Sequence, residues 1–259
     1  GYAMDDKLSP LPAGRGGPSV DPAAGGSGGG WPRLGRLDSL NTMRLFAALA
    51  IFLVHVDLYQ PIPHLSGLLE VGKAGTTYFI ILSGFVLTWT HTSKDTVGWF
   101  YWRRISRIWP LLAITSLLAV FVMYGPFGTS QRPPDLAFWT SSTIFLFQGW
   151  LPENVFHAPN DVTWTLSAIA FYYLLFAFVI RFVVNRTVRQ LAWLAAAMLA
   201  VGVAIRVWLF LAWPHIEDFG AHIDTAVIAA KSPVGRLSEF LLGVFLAAMV
   251  RKGWRTRVS

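Results

Sequence analysis

Long apolar runs separated by short polar stretches recur along the chain from residue 40 onward. Seven such runs are present, at 40–58, 75–92, 108–124, 138–150, 163–184, 191–213 and 235–250. Most of them approach the ~20 residues that an α-helix needs to cross a bilayer. The pattern predicts an all-α integral membrane protein.

The fourth run is shorter and more polar than the others. It has 13 residues and contains Thr140, Ser141, Ser142 and Thr143. Hydroxyl side chains of this kind suit a re-entrant or protein-shielded segment better than a lipid-facing span. We therefore predict a bundle of about six transmembrane helices plus one short re-entrant segment.

Basic residues follow the second, fifth and last runs, whereas the segments between these clusters are net acidic. With a re-entrant fourth run, six spans place every basic cluster and both termini on one side, which the positive-inside rule assigns to the cytoplasm. We predict a disordered Gly/Pro-rich cytoplasmic tail at 1–36, a transmembrane domain at 37–250 and a basic cytoplasmic tail at 251–259.

Composition agrees with this class and excludes others. Of 259 residues, 54% are apolar and 14% are charged, which favours contact with membrane lipid. The net charge of +7 does not indicate nucleic-acid binding, because the basic residues stand between apolar runs. Cysteine is absent, which excludes disulfides, thiolate metal sites and a cysteine nucleophile.

The first run carries two ionisable residues, Arg44 and His55. Eleven steps of ~100° return His55 to within about 20° of the face of Arg44, about 16 Å along the helix. Arg44 is either a snorkelling anchor or a binding group, and His55 is either a hydrogen-bonded core residue or a functional one. Asp57 is a solvated loop-edge carboxylate or a partner that orients the imidazole.

A second polar feature is the segment "WRRISRIWP" at 102–110. Arg104 and Arg107 are three residues apart, so on a helical turn they share a face and can hold a phosphate from two sides. The positive-inside rule alone also explains such a cluster. Arg44 begins on the same cytoplasmic side, which favours a joint phosphate site.

Five segments occur in order: "LDSLNTMRLFAALAIFLVHV", "YFIILSGFVLTW", "FYWRRISRIWPL", "WTLS" and "RLSEFLLGV". This order and spacing resemble the membrane acyltransferase 3 family of O-acyltransferases, over residues 37–250. The resemblance implies a bacterial plasma-membrane enzyme that uses acyl-CoA as co-substrate, with no permanently bound cofactor. The acceptor is implied to be a hydroxyl of a sugar, surface glycan or secondary metabolite, and the acyl group is commonly acetyl.

The resemblance also implies residue roles. His55 matches the catalytic base, and Arg44, Arg104 and Arg107 match the positions associated with the phosphate end of the donor. The other matching positions are Ser83, Gly84, Phe85, Trp164, Thr165, Leu166, Ser167, Glu239 and Gly243. We expect the Ser83 hydroxyl either to stabilise the oxyanion or only to pack between spans. Trp164 and Ser167 are expected to contact substrate.

The sequence departs from the family pattern at Ile169, where a glutamate usually follows the Trp-Thr-Leu-Ser motif. Isoleucine cannot accept a proton, so any role of that carboxylate is lost or moved. Family members also usually continue through further spans. Three explanations for the shorter chain are therefore open: a fragment, a natural short form or a degenerate paralogue. A non-catalytic binding or assembly protein on the same scaffold and a transporter are the alternative functions.

Three other polar features lie within or beside the runs. Arg206 lies inside the sixth run and is expected to bind substrate or to pair with a neighbouring acid. Arg236 and Glu239 are three residues apart and are predicted to pair. The acidic and histidine-containing segment at 214–224 fits no strong metal-ligand spacing, so no metal is predicted there.

Overall fold

The computed structural model describes residues 38–59, 66–92, 96–126, 128, 133–151, 163–212 and 232–254. These residues form seven α-helices, one 3-10 turn at Gln148–Trp150 and no strand, which confirms the all-α prediction for this part of the chain. The helices are α1 (Asp38–Tyr59), α2 (Ser66–Thr90), α3 (Val97–Tyr124), α4 (Leu136–Ile144), α5 (Trp164–Val184), α6 (Val188–Ala212) and α7 (Leu237–Arg251).

Within the part of the chain that the structure describes, three helices are long and apolar enough to cross a membrane: α3, α5 and the Val188–Trp208 part of α6. On the outer surface of α3, Leu111 and Ile114 are 66% and 64% exposed, as expected of side chains that face lipid rather than protein. The structure therefore supports a membrane protein, and the predicted count of about six spans stays a prediction.

The fourth apolar run forms α4, which has nine residues, and then the 3-10 turn. A nine-residue helix is about 14 Å long, less than half the hydrocarbon thickness of a bilayer. The segment is thus too short to be a full helical span, and its predicted re-entrant path stays a prediction.

Two helices begin earlier than the hydrophobic pattern predicts. α2 begins at Ser66 instead of near 75, and α3 begins at Val97 instead of near 108. The Thr96 hydroxyl accepts a hydrogen bond from the backbone N–H of Trp99 at 3.3 Å and so caps α3 before the arginine cluster. Arg104 and Arg107 therefore both lie inside α3, where three residues of spacing place them on one face.

The closest helix contact joins α2 to α7 through two glycines. A Cβ atom added at Gly84 would lie 2.2 Å from the Phe240 carbonyl oxygen, and one added at Gly243 would lie 1.9 Å from the Ile81 carbonyl oxygen. Small residues let helix backbones approach this closely. The Ser-Gly-Phe and Glu-Phe-x-x-Gly motifs thus meet each other at one helix interface.

Basic side chains cap the helices at one end of the bundle. Arg251 Nη1 donates hydrogen bonds to the carbonyls of Thr88, Trp89 and His91 at the end of α2, at 2.8–2.9 Å. Lys252 Nζ donates to the Val184 carbonyl at the end of α5, at 2.8 Å. Cations stabilise the unpaired carbonyls of helix C-termini. The C-terminal ends of α2, α5 and α7 therefore lie together.

Candidate functional site

Arg44 and His55 lie on the less exposed face of α1. Ala47 and Ile51 lie between them on this face. Ala47 is buried and Ile51 is partly exposed, whereas Leu45 on the outer face is 67% exposed. Gly75 of α2 packs against this face, since a Cβ there would lie 3.2 Å from Ile51 Cγ1. The shared face that the turn arithmetic predicts is present in the structure.

The imidazole of His55 is oriented by its own helix. Its Nδ1 lies 2.7 Å from the Ile51 carbonyl oxygen, one turn earlier. Because a carbonyl only accepts hydrogen bonds, this contact assigns the proton of the neutral ring to Nδ1 and leaves the lone pair on Nε2. Nε2 is therefore the nitrogen that can act as a base. Asp57 is partly buried, and its role toward this ring stays a prediction.

Arg104 is held between two aromatic rings from different helices. Its guanidinium carbon lies 5.6 Å from the ring centre of Phe100 on α3 and 5.6 Å from that of Tyr173 on α5. Such cation–π contacts favour a positive charge in this position.

Arg44, on α1, is close enough to Arg104 for the two positive charges to act on each other. Its Nε is buried and has no hydrogen-bond partner in the described part of the chain. Two guanidiniums with an unused donor make a site suited to an anion. Arg107, predicted as a third member, is exposed on α3 and acts on Arg104 electrostatically.

No motif in the sequence indicates Tyr173 as a site residue. The only signal for it is a hydroxyl-bearing ring in the middle of an apolar run, a residue type that usually needs a partner when buried. Arg104, whose guanidinium lies over this ring, comes from another helix, so no local pattern predicts the contact.

A largely apolar groove of about 430 Å³ extends from this arginine site between α3 and α5. Arg104 and Tyr173 line one part of it, and Leu166 and Ser167 line another. From Leu174 to Leu166 the groove follows α5 for about 12 Å. Its length is somewhat less than the ~16 Å that separates Arg44 from His55 along α1, and neither of these two residues lines it.

The segment after α4 covers this groove and is fixed to the start of α5. The Ser167 hydroxyl donates to the carbonyl of Leu146, a residue with a φ of 63°. Gln148 Nε2 donates to the Thr163 carbonyl at 2.8 Å. Ser167 thus holds a strained turn in place. The substrate contact predicted for it stays a prediction.

A second polar cluster surrounds Glu239, which is 8% exposed. Its carboxylate accepts hydrogen bonds from Arg206, from Arg236 at 3.3 Å and from Thr77 at 3.3 Å. This confirms the predicted Arg236–Glu239 pair. Glu239 is also the neighbouring acid with which Arg206 pairs, one of the two roles expected for that arginine. The Arg206 substrate role stays a prediction.

Two further predicted residues lie in packed surroundings. The Trp164 ring lies under the Arg236 guanidinium at 5.6 Å, beside the Glu239 cluster. The Ser83 hydroxyl donates to the Phe79 carbonyl of its own helix at 2.7 Å, so it must leave that carbonyl to serve an oxyanion. Residues 214–224, considered for a metal, and the terminal tails at 1–36 and 255–259 lie outside the described residues.

Comparison with known proteins gives three findings. A family model described as an acyltransferase domain matches residues 37–258. Acyltransferase MdmB of Streptomyces mycarofaciens is 32% identical over 243 residues, which cover 86% of this chain and 60% of that protein. The O-acetyl transferase of Shigella phage Sf6 is 28% identical over 135 residues, which cover 49% of this chain and 40% of that protein.

The chain thus spans 60% of the length of the first of these relatives and 40% of the second. No solved structure matches it.

Proposed function

Because the chain belongs to the membrane acyltransferase 3 family, we propose that it transfers an acyl group from acyl-CoA to a hydroxyl acceptor. The acyl group is acetyl in the simplest case. The acceptor is a sugar, a surface glycan or a secondary metabolite.

One observation carries this proposal: the charges of Arg44 on α1 and Arg104 on α3 act on each other, and His55 lies on the same face of α1 as Arg44. The two arginines hold the phosphates of the donor, since guanidinium forks match phosphate oxygens. About 16 Å along α1, His55 stands within the reach of a pantetheine arm. Arg107, being exposed, adds positive charge at the entrance to this site.

His55 Nε2 accepts the proton of the acceptor hydroxyl while the hydroxyl oxygen attacks the thioester carbonyl carbon. The resulting imidazolium is stabilised because its Nδ1–H bond to the Ile51 carbonyl becomes charge-assisted. When the tetrahedral intermediate collapses, the C–S bond breaks and Nε2 returns the proton to the coenzyme A thiolate. An ester and a free thiol result, and His55 is neutral again.

The donor enters from the cytoplasm of a bacterial cell in this proposal. The end of the bundle where Arg251 and Lys252 cap α2 and α5 faces the cytoplasm of the plasma membrane, following the positive-inside rule. Both termini then lie inside. A cysteine introduced into the otherwise cysteine-free chain after α7, tested with membrane-impermeant thiol reagents on intact cells, checks this orientation.

Transfer of isotope from labelled acetyl-CoA into lipid, glycan and small-molecule fractions of membranes tests the function. We expect transfer by the full-length protein and a loss of about 10²–10⁴-fold in His55→Gln, the range that general-base catalysis contributes. The absence of transfer by the full-length protein in every fraction would refute the enzyme proposal and favour the non-catalytic or transporter alternatives.

Matched variants separate the proposed roles from general damage. His91→Gln is the histidine control, because His91 lies at the end of α2 with its ring against Phe176. Arg189→Ala is the arginine control for Arg104→Ala, because Arg189 is exposed at the start of α6. We expect Arg104→Ala alone to raise the KM for the donor. Transfer that survives His55→Gln would overturn the mechanism.

A further inference from the structure

The turn between α5 and α6 carries an arginine, Arg186, that the proposed reaction does not use. It follows α5 at the end of the bundle where Lys252 donates to the Val184 carbonyl. We propose that Arg186 and the neighbouring exposed rings of Phe182 and Phe178 bind an anionic phospholipid. The guanidinium holds the headgroup phosphate, and the two rings contact an acyl chain. This inference does not depend on the proposed reaction, because it involves none of the residues of that reaction.

The guanidinium of Arg186 is held against an aromatic ring. Its central carbon lies 4.0 Å from the ring centre of Phe182, one turn back along α5. The charge is therefore level with the last turn of a membrane-spanning helix, where lipid headgroups meet acyl chains. The turn itself is fixed by reciprocal hydrogen bonds. The Gln190 side chain accepts from the Thr187 backbone N–H at 3.0 Å, and the Thr187 hydroxyl accepts from that of Gln190 at 3.2 Å.

The charge of Arg186 has no acidic partner on its own helices. The sequence contains no Asp or Glu from 162 to 216, and Arg186 forms no ion pair within the part of the chain that the structure describes. Its Nε is buried without a hydrogen-bond partner among these residues. Lys252 adds a second positive charge nearby, because its ammonium is held at the Val184 carbonyl two residues before Arg186. These two cations are thus suited to an anionic ligand.

The part of α5 next to Arg186 indicates what kind of anion binds. Phe182 and Phe178 lie one turn apart on the same face of α5 and are 44% and 70% exposed. Because α5 is long and apolar enough to cross a membrane, these rings face acyl chains. A phospholipid offers a phosphate followed by an acyl chain, whereas a free phosphate leaves both rings uncovered. Since α5 and α6 contain no acid to pair with the ammonium of a zwitterionic headgroup, an anionic lipid is favoured.

Native mass spectrometry of the full-length protein, released from micelles that contain phosphatidylglycerol or phosphatidylcholine, measures the Kd of each lipid. We expect the unaltered protein to bind phosphatidylglycerol about tenfold more tightly, and Arg186→Gln to remove this preference, as loss of a hydrogen bond to a charged group does. Phe182→Leu removes the ring under the guanidinium and should raise the Kd of phosphatidylglycerol about two- to fivefold. Arg186→Lys keeps the charge without the planar fork and should lie between the unaltered protein and Arg186→Gln.

Arg103→Gln is the matched control, because the Arg103 guanidinium also lies over an aromatic ring, that of Trp99 on α3 at 5.8 Å. It should leave the preference for phosphatidylglycerol unchanged. An equal loss in Arg103→Gln and Arg186→Gln indicates only general attraction of anionic lipid to a positively charged protein and overturns the inference. The inference also fails if the unaltered protein prefers neither lipid, or if glycerol phosphate alone displaces phosphatidylglycerol. If Arg186→Gln does not fold, Arg186→Lys takes its place in the same comparison.

Discussion

Replacing Gly243 by alanine should separate α2 from α7. The added Cβ would lie 1.9 Å from the Ile81 carbonyl oxygen and 3.0 Å from the Phe85 backbone nitrogen. Both neighbours are backbone atoms, so no side-chain rotation relieves the contact, and the helices must move apart by about 1 Å. Overpacking costs about 1–3 kcal/mol when side chains can adjust. We therefore expect a loss of at least ~3 kcal/mol, which lowers the thermal midpoint by roughly 6–12 °C.

Thermal unfolding of the purified protein in micelles, followed by tryptophan fluorescence, measures this shift. Gly84→Ala, on the facing helix, should act similarly, and the double variant should lose less than the sum, because one separation relieves both contacts. Gly98→Ala is the matched control, since a Cβ there meets nothing within 4 Å and alanine favours a helix. If Gly243→Ala unfolds at the same temperature as Gly98→Ala, the close α2–α7 contact is wrong.

Three further substitutions test the polar contacts. Glu239→Gln leaves the partly buried Arg236 without its anion and should cost about 3 kcal/mol in thermal unfolding, the lower end of the range for a buried pair; an unchanged midpoint would contradict the pairing. Arg251→Gln should lose about 1.5–3 kcal/mol and speed hydrogen exchange in the last turn of α2, whereas unchanged exchange would argue against capping. Ser167→Ala should cost about 1 kcal/mol and expose 145–150 to proteases; equal resistance would exclude the tether.

Contacts within one helix were predictable from the sequence, whereas the exact partners between helices mostly were not. The shared face of Arg44 and His55 and the Arg236–Glu239 pair follow from helical periodicity alone, which fixes which residues are neighbours on one helix. The contact between Arg104 and Tyr173 depends on how α3 packs against α5, and no local pattern specifies that packing. The fold class was predictable for a similar reason, because each apolar run by itself indicates a helix.

The start of α3 shows a different limit. Hydrophobic patterning places the helix after the arginine cluster, because charged residues interrupt the apolar run. In the structure Thr96 caps the helix earlier, and the aromatic rings of Phe100 and Tyr173 accommodate Arg104 inside it. The apolar run alone thus places the start of α3 too late, because contacts with aromatic rings compensate for the charge of Arg104 inside the helix. The error falls at the candidate site, where local rules are most often broken.

Ile169 stands where the family pattern has a glutamate, and its surroundings indicate what that difference changes. It is 4% exposed and lies one turn before Tyr172, whose ring stacks on Phe240 of α7 at 4.8 Å. Position 169 thus lies on the packed side of α5, close to the helix that carries Glu239. An isoleucine completes apolar packing there, and a carboxylate would need a cation or a proton. The proposed reaction does not need a carboxylate at this position, because His55 takes the acceptor proton and the departing thiolate removes it again.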